Sequence, residues 1–210
     1  MVRESARKVI CSSDMRQIGL GMSLYAEDNK SMLPSSVFLD NSEARTTVPN
    51  FPHLMDTIRT DANEFADREW DQWDGLGLLF YKGYVSAPGV FYCPSHKGEH
   101  SQERYESQWN FETNDQIVAN YQFRGVGPNG ERYTYAMLST DAMVTDSLRS
   151  IQDLNHKNGV NVLSAGLSVN WYDDIDSEIL LAVMARTEES IVDDTVQAWQ
   201  LFDGGPRPTD

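Results

Sequence analysis

The sequence predicts an α+β fold in which a long N-terminal helix packs on an antiparallel β-sheet that carries loop insertions. Apolar residues recur at helical spacing through residues 5–27, and helical spacing returns clearly only after residue 176. Between them, from residue 117 onward, short segments rich in Val, Tyr, Phe and Thr are separated by Gly-containing turns. A leading helix followed by strands joined by turns is typical of α+β domains with an antiparallel sheet.

The first helix has one face that is predicted to be covered. Its apolar stripe consists of Cys11, Met15, Ile18, Met22 and Tyr25, which follow one another at steps of four and three residues. That spacing places them on one side of a helix, and the other side is polar enough to face water. At about 1.5 Å per residue the helix is roughly 35 Å long, so we expect the rest of the chain to pack against it.

The middle of the chain predicts short elements joined by loops. Residues 35–63 are polar and interrupted by proline, with 53–59 as the best short helix, and residues 75–81 form a second short helical segment. Residues 85–93 predict a turn followed by a short buried extended segment that proline terminates.

The predicted strands are those at residues 117–123, 132–138, 142–146, 160–163 and 167–171. The last two flank Ala165-Gly166 and predict a hairpin with alternating apolar and polar faces. Residues 177–186 predict a helix capped by Asp176 or Ser177. Residues 191–202 fit either a helix or a strand.

Length and charge limit the organisation and the partners. The 210 residues, 40% of them hydrophobic, suffice for one domain. We divide the chain into an N-terminal helix (1–30), a globular antiparallel-sheet domain (31–203) and a frayed tail (204–210). The formal net charge of −15 repels phosphate backbones and anionic headgroups, which excludes nucleic acid as a partner. No run of 18 apolar residues and no signal peptide is present.

Three separated blocks of the sequence resemble the prepilin-like proteins related to type II secretion pseudopilins. The first block comprises residues 11–20, 25–29 and Leu33-Pro34, the second is residues 89–95, and the third runs from Asn155-His156 to Trp171. The third resembles the prepilin-processing-associated domain, defined by a histidine, nine residues and Asp-Gly. Here Gly166-Leu167 stand in place of Asp-Gly. The resemblance covers about half of the chain.

The resemblance implies a non-enzymatic pseudopilin-like subunit with a pilin-like fold. Members of this family carry a short leader and an apolar membrane anchor, and the exposed half of the same helix packs on a small antiparallel sheet. This chain would begin just after the anchor. Its partners would be other pseudopilin subunits or secretion-system proteins, and its location would be extracytoplasmic, at the membrane. The helix would then be an assembly helix, with Met15, Ile18, Met22 and Tyr25 as packing residues.

Two other classes of function fit the sequence less well. An extracytoplasmic binding module could use Trp70, Trp73 and Trp109 to hold a carbohydrate or protein ligand, although aromatic residues more often belong to the core. A metal-dependent hydrolase could use the region of His96 and His100. No phosphate-binding loop, serine-hydrolase elbow, zinc-protease motif or dinucleotide fingerprint supports an enzyme.

Two groups of residues have ligand types that bind metals. Cys93, His96 and His100 have a spacing that one zinc ion could use, but a fourth ligand is not evident. The carboxylates of Asp173, Asp174, Asp176 and Glu178 offer the hard oxygen ligands that calcium prefers. The alternative for this acidic group is a solvated loop that ends in a helix cap. Calcium is therefore the cofactor we predict, if the protein binds one.

The two cysteines, Cys11 and Cys93, are predicted to form a disulfide. Cys11 lies on the covered stripe of the first helix and Cys93 ends an apolar segment, so both should point into the interface between helix and sheet. An extracytoplasmic location would preserve such a bond, and the alternative is two independent buried thiols. His156 is predicted to be a hydrogen-bonded structural residue at the entrance of the hairpin, rather than a catalytic base.

Overall fold

The first helix, α1, spans Val2–Asp28. The structure is a computed structural model that describes residues 2–39, 51–61, 72–110, 112, 115–127, 134–135, 139–146, 148–174, 176–184, 187 and 190–203. The predicted stripe is confirmed as the covered face, since Cys11, Met15, Ile18 and Met22 are fully buried and Tyr25 is 7% exposed. The helix ends where Lys30 and Ser31 take left-handed backbone angles, and the Ser31 N–H closes the end on the Ala26 carbonyl.

A four-stranded antiparallel sheet forms the centre of the fold. Its strands lie in the order β3, β4, β5 and β6, which are Gln122–Phe123, Ala142–Thr145, Gly159–Ser164 and Val169–Asp173. The predicted hairpin is confirmed as β5 and β6, paired from Gly159 with Asp173 to Leu163 with Val169. The α+β class with an antiparallel sheet is thereby confirmed.

The sheet is covered on both faces, which corrects the expected alternation of apolar and polar faces in the hairpin. Leu163 belongs to a core shared with α1, whereas Val160 and Val162 belong to a second core. That second core lies under α4 (Glu178–Met184) and α5 (Ile191–Phe202). Because α5 buries Ala198, Trp199 and Phe202, its sequence, which fitted either element, forms a helix.

A second, two-stranded sheet pairs β1 (Thr57–Arg59) with β2 (Ile117–Val118), with α2 (Gly77–Tyr81) beside it. This corrects two predictions. Residues 53–59 form a 3-10 turn at Pro52–Leu54 followed by a strand. Residues 117–123 divide between the two sheets, because the N–H groups of Ala119 and Asn120 bond to Asp56 and Phe91 instead of continuing one ladder.

Smaller differences complete the comparison with the predicted elements. The segment predicted to be extended before Cys93 is a 3-10 turn at Pro88–Phe91, and a one-turn helix, α3, spans Gln102–Tyr105. Most of the predicted strand 132–138 lies outside the described residues, although Thr134 forms a bridge with Met32. The predicted tail at 204–210 also lies outside them. Within the described part of the chain, no helix combines the length and apolar character needed to cross a membrane.

Candidate functional site

Four side chains able to bind a metal meet in the interior between α1 and the sheet. Cys11 comes from α1, Cys93 follows the 3-10 turn at Pro88–Phe91, Asp146 follows β4, and His156 precedes β5. All four are buried, and their ligand atoms lie within 4.8 Å of one another. We call these four residues the thiol-histidine cluster.

Short polar contacts hold the thiol-histidine cluster together. The Cys11 thiol donates to Asp146 Oδ2 at 3.3 Å and lies 3.2 Å from the Tyr121 hydroxyl. His156 Nε2 lies 3.2 Å from Asp146 Oδ2 and 3.6 Å from Cys93 Sγ. The two sulfur atoms also lie within 4.8 Å of each other, so the four ligand atoms form one compact group.

The neighbouring elements fix the orientation of these ligands. Asn161 of β5 donates to both carboxylate oxygens of Asp146, through its backbone N–H at 2.8 Å and its side-chain amide at 2.7 Å. On the other side, Glu4 of α1 lies 2.6 Å from His156 Nδ1 and accepts a hydrogen bond from the Ser95 hydroxyl. The first turns of α1 thus contact the loop before β5 through a buried histidine.

The surroundings of the two thiols shift their pKa values in opposite directions. Burial, the hydrogen bond with Cys93 and the charge of Asp146 hold the pKa of Cys11 well above its ordinary value. Burial also opposes ionisation of Cys93, but hydrogen bonds with Cys11 and His156 outweigh it and lower the pKa of that thiol. Cys93 is therefore the more acidic thiol of the pair, and Cys11 the less acidic one.

His156 is the positive member of the cluster. Burial opposes its protonation, yet hydrogen bonds with Asp146 and Cys93 raise its pKa to about 10. Glu4 is partly buried, which opposes its ionisation, but hydrogen bonds with His156 and Ser95 lower its pKa. An imidazolium between Glu4 and Asp146 fits the structural, hydrogen-bonded role predicted for His156, and no nucleophile or substrate cleft is needed to explain it.

The two cysteines lie side by side, as their burial patterns indicated, and both are free thiols in this structure. The predicted burial of both is confirmed. The disulfide itself stays a prediction. Sequence reasoning missed Asp146, Glu4 and Asn161, because they come from segments far apart in the chain and carry no local spacing. The position of Asp146 shortly after the apolar segment Ala142-Met143-Val144 was the one available signal.

The local zinc spacing of Cys93, His96 and His100 is wrong as a site. His96 Nδ1 is 2.8 Å from the Asn155 side-chain oxygen, and His100 Nδ1 is 2.7 Å from the Tyr105 hydroxyl. Cys93 instead faces His156 and Cys11. The three side chains diverge because the chain turns sharply between them, with the His96 N–H bonded to the Cys93 carbonyl.

The geometry does not support the predicted calcium site at Asp173, Asp174, Asp176 and Glu178. Within the described residues, the metal-ligating side chains that converge are those of the thiol-histidine cluster. Asp174 accepts hydrogen bonds from the Ile179 and Leu180 N–H groups at 2.9 and 3.1 Å, so it caps α4 in place of Asp176 or Ser177. Asp173 accepts a hydrogen bond from the Trp171 indole.

The tryptophans proposed for a binding module are largely part of the core. Trp73 is 1% exposed, and the ring of Trp109 stacks on Phe91 at a centroid distance of 5.4 Å. Trp70 lies outside the described residues. The described aromatic residues therefore support packing rather than ligand capture.

The outer face of α1 carries a second apolar stripe, which corrects the expectation of a polar outer face. Val9, Ile10, Leu20 and Leu24 are 68%, 49%, 58% and 50% exposed. At about 100° per residue they fall within roughly a quarter of the helix circumference, opposite the buried stripe. We call these four residues the outer stripe.

A groove adjoins the outer stripe. It has a volume of about 240 Å³ and lies between α1 and residues 84–90. Leu20, Leu24, Tyr84, Val85, Ala87 and Val90 contribute to its lining. Leu20 and Leu24 of the outer stripe thus border a mainly apolar groove, to which Gln17 and Ser86 add polar lining.

Comparisons with known proteins identify a family. No curated protein and no solved structure matches the chain. Residues 1–153 match the family described as protein of unknown function DUF1559, SBP_bac_10, which is of the type II secretion and pilin-like kind. The match does not distinguish a pseudopilin from other members. Because it covers more than half of the chain, the protein belongs to the DUF1559 family.

Proposed function

We propose that this protein is a non-enzymatic, pseudopilin-like structural subunit of an envelope assembly of the type II secretion or type IV pilus kind. It acts outside the cytoplasm, and its domain covers the outside of an assembly in which α1 packs against α1 of neighbouring subunits. The observation that carries this proposal is the outer stripe on a helix whose inner face is already buried.

Two apolar faces on one helix have a simple physical reading. The inner face accounts for the packing of α1 on its own sheet, so the outer stripe is not needed for folding. Fully burying a side chain of this kind stabilises by about 1.5–3 kcal/mol. Association costs on the order of 4–15 kcal/mol in lost freedom, so contact through four such residues gives a weak, reversible association of the domain alone.

The occupant we assign to this surface is the α1 helix of a second copy. The groove beside Leu20 and Leu24 accommodates apolar side chains such as Val9 and Ile10 of a neighbour, which places parallel helices side by side with an axial offset. Charge agrees with that offset, because it brings the exposed Arg16 of the neighbour level with the exposed acidic residues Glu27 and Asp28 at the end of α1.

Cross-linking between subunits tests the proposal. With the full-length protein in its native membranes, the double variant Val9→Cys/Leu20→Cys is expected to give dimers and higher oligomers with a short bismaleimide reagent, because the offset brings Val9 of one subunit beside Leu20 of the next. Val9→Cys/Leu181→Cys is the matched control, because Leu181 on α4 and Leu20 are both 58% exposed. We expect the control to remain monomeric on denaturing gels.

Two results would contradict the proposal. One is the absence of cross-linked species from Val9→Cys/Leu20→Cys at reagent concentrations that label both introduced thiols completely. The other is the same ladder from Val9→Cys/Leu20→Cys and Val9→Cys/Leu181→Cys, which would indicate random collision rather than packing along α1.

A further inference from the structure

We propose that the thiol-histidine cluster is a structural metal site that holds one zinc-like divalent ion through Cys11, Cys93, Asp146 and His156. The inference does not depend on the proposed assembly role, because it concerns the interior of the domain. Two thiolates with an imidazole and a carboxylate form the mixed sulfur, nitrogen and oxygen set that suits Zn²⁺ in tetrahedral geometry.

The distances between ligand atoms fit one tetrahedron. Metal bonds of about 2.3 Å to sulfur and 2.0–2.1 Å to nitrogen or oxygen give edges of about 3.5 Å for a sulfur paired with nitrogen or oxygen, and about 3.3 Å for nitrogen paired with oxygen. The structure has 3.3 Å from Cys11 Sγ to Asp146 Oδ2, 3.6 Å from Cys93 Sγ to His156 Nε2 and 3.2 Å from Asp146 Oδ2 to His156 Nε2. The remaining distances between ligand atoms are within 4.8 Å. Shortening the longest of them by about 1 Å would bring all four atoms to bonding distance from one ion.

Each ligand also has an outer partner of the kind that metal sites use. Zinc-bound histidines donate their second ring N–H to a carboxylate or carbonyl group, which fixes the ring and its tautomer. Here Glu4 Oε1 lies 2.6 Å from His156 Nδ1, so His156 Nε2 is the atom directed at the other ligands. Asp146 keeps both hydrogen bonds from Asn161. Cys93 Sγ accepts the Ser95 N–H at 3.4 Å, and Cys11 Sγ lies 3.2 Å from the Tyr121 hydroxyl.

The burial of the cluster indicates a structural rather than a catalytic ion. Structural zinc sites are closed by four protein ligands, whereas catalytic sites keep one position open for water or substrate. All four residues are at most 3% exposed. Since the ligands come from α1, from the segment after Phe91, from the end of β4 and from the loop before β5, one ion would join the helix to the sheet.

A disulfide between Cys11 and Cys93 would use the same sulfur atoms, so the two arrangements exclude each other. The disulfide accounts for the pair of sulfur atoms alone. The ion accounts as well for the convergence of a buried carboxylate and a buried imidazole on the same point, and for the partner of each. We therefore assign the metal site to the reduced protein.

Metal analysis of the intact protein tests the assignment. The full chain is purified without chelator in a phosphine reductant, and zinc is measured per chain after dialysis. We expect one equivalent. Replacement by Co²⁺ should give the visible bands of a tetrahedral site and the near-ultraviolet charge transfer of cobalt thiolate, and X-ray absorption should find two sulfur neighbours.

Variants separate this site from other ligands. Glu4→Gln changes a partly exposed residue and should still bind, but about 10–100-fold more weakly, as expected when an outer partner is lost. Cys93→Ser should weaken Co²⁺ binding further and reduce the charge transfer. His96→Gln and His100→Gln are the controls, and they should keep one equivalent with an unchanged spectrum.

The proposal fails if the reduced wild-type chain takes up no stoichiometric Zn²⁺ or Co²⁺. It also fails if the bound ion is lost in the His96 and His100 variants, or if the Co²⁺ spectrum lacks thiolate charge transfer. A Cys11–Cys93 disulfide found by mass spectrometry, together with no metal uptake after reduction, would assign the cluster to the bridge instead.

Discussion

Gly77 sets how closely α2 approaches β1. A Cβ at this position would lie 1.9 Å from the Ile58 carbonyl oxygen, which is backbone and cannot turn away. We therefore predict that Gly77→Ala lowers the free energy of unfolding by about 3 kcal/mol or more, as severe overpacking does. Urea unfolding followed by circular dichroism measures this.

Gly83 provides the matched comparison for Gly77. It has a φ of +80°, and a Cβ there would meet nothing within 4 Å. Gly83→Ala should therefore cost only the left-handed backbone strain, about 1 kcal/mol. Equal losses in the two variants would mean that the close approach of Gly77 to Ile58 is not real.

His100 makes stability depend on pH. Burial, together with the charges of Arg149 and Arg104, lowers its pKa from 6.5 to about 4, although Asp153 partly offsets this. Between these pH values the unfolded chain takes up a proton that the folded chain does not, so stability present above pH 6.5 is lost as the pH falls. His100→Gln should therefore lose less stability than the wild type between pH 7 and pH 4.5.

The difference between the wild type and the His100→Gln variant isolates the effect of His100 on stability. Asp56 acts in the opposite direction, because burial raises its pKa to about 6 despite the neighbouring Arg149, but it is present in both proteins and cancels in the difference. Parallel melting-temperature curves across this pH range would show that His100 does not contribute.

Among single residues, the sequence could identify only those whose role follows from local spacing. Cys11 was predicted to be buried because it shares a stripe with Met15 and Ile18, and that burial is confirmed. Asp146 joins the same cluster only because β4 and β5 pair, which brings Asn161 and His156 beside it. Pairing between distant strands leaves no periodic signal, so neither the residue nor the cluster could be read from the chain.

At the scale of elements, the long helix was the most predictable part and the short strands the least. The five residues of the buried stripe recur over about four turns of α1. A spacing of three and four residues kept up over that length predicts a helix and does not fit the two-residue alternation of a strand. β2 and β3 have two residues each, so their placement depends on tertiary hydrogen bonds rather than on alternation. The outer stripe was not predicted because the polar residues Ser13 and Gln17 lie on the same side of the helix and separate Val9 and Ile10 from Leu20 and Leu24.

The turn between β5 and β6 holds a bulky residue in a left-handed backbone conformation. Leu167 has a φ of 63°, a conformation that glycine takes most readily. The side chain of Leu167 also packs close to Gly19 of α1. Packing on the helix therefore offsets a backbone cost of about 1–2 kcal/mol at the turn.

At the scale of the whole molecule, β5 belongs to both cores, with α1 on one face and the layer of α4 and α5 on the other. The end of α5 is joined to the sheet by Asp203, which accepts a hydrogen bond from Arg124 Nη1 at 2.6 Å and another from the Ala142 N–H at 3.3 Å. The Arg124 side chain is 4% exposed and that of Asp203 is 21% exposed. This ion pair therefore connects the outer helical layer to the centre of the fold.

We predict that Asp203→Ala lowers the free energy of unfolding by about 2 kcal/mol, less than the 3–5 kcal/mol of a fully buried pair because Asp203 is partly exposed. Arg7→Ala, which removes a 4.0 Å pair with Glu4 whose side chains are both 44% exposed, should change it by less than about 1 kcal/mol. Because the layers share β5, removing the Asp203 side chain should shift a single unfolding transition, which circular dichroism and tryptophan fluorescence report together. Separate transitions by the two probes would show that the layer of α4 and α5 unfolds independently of α1.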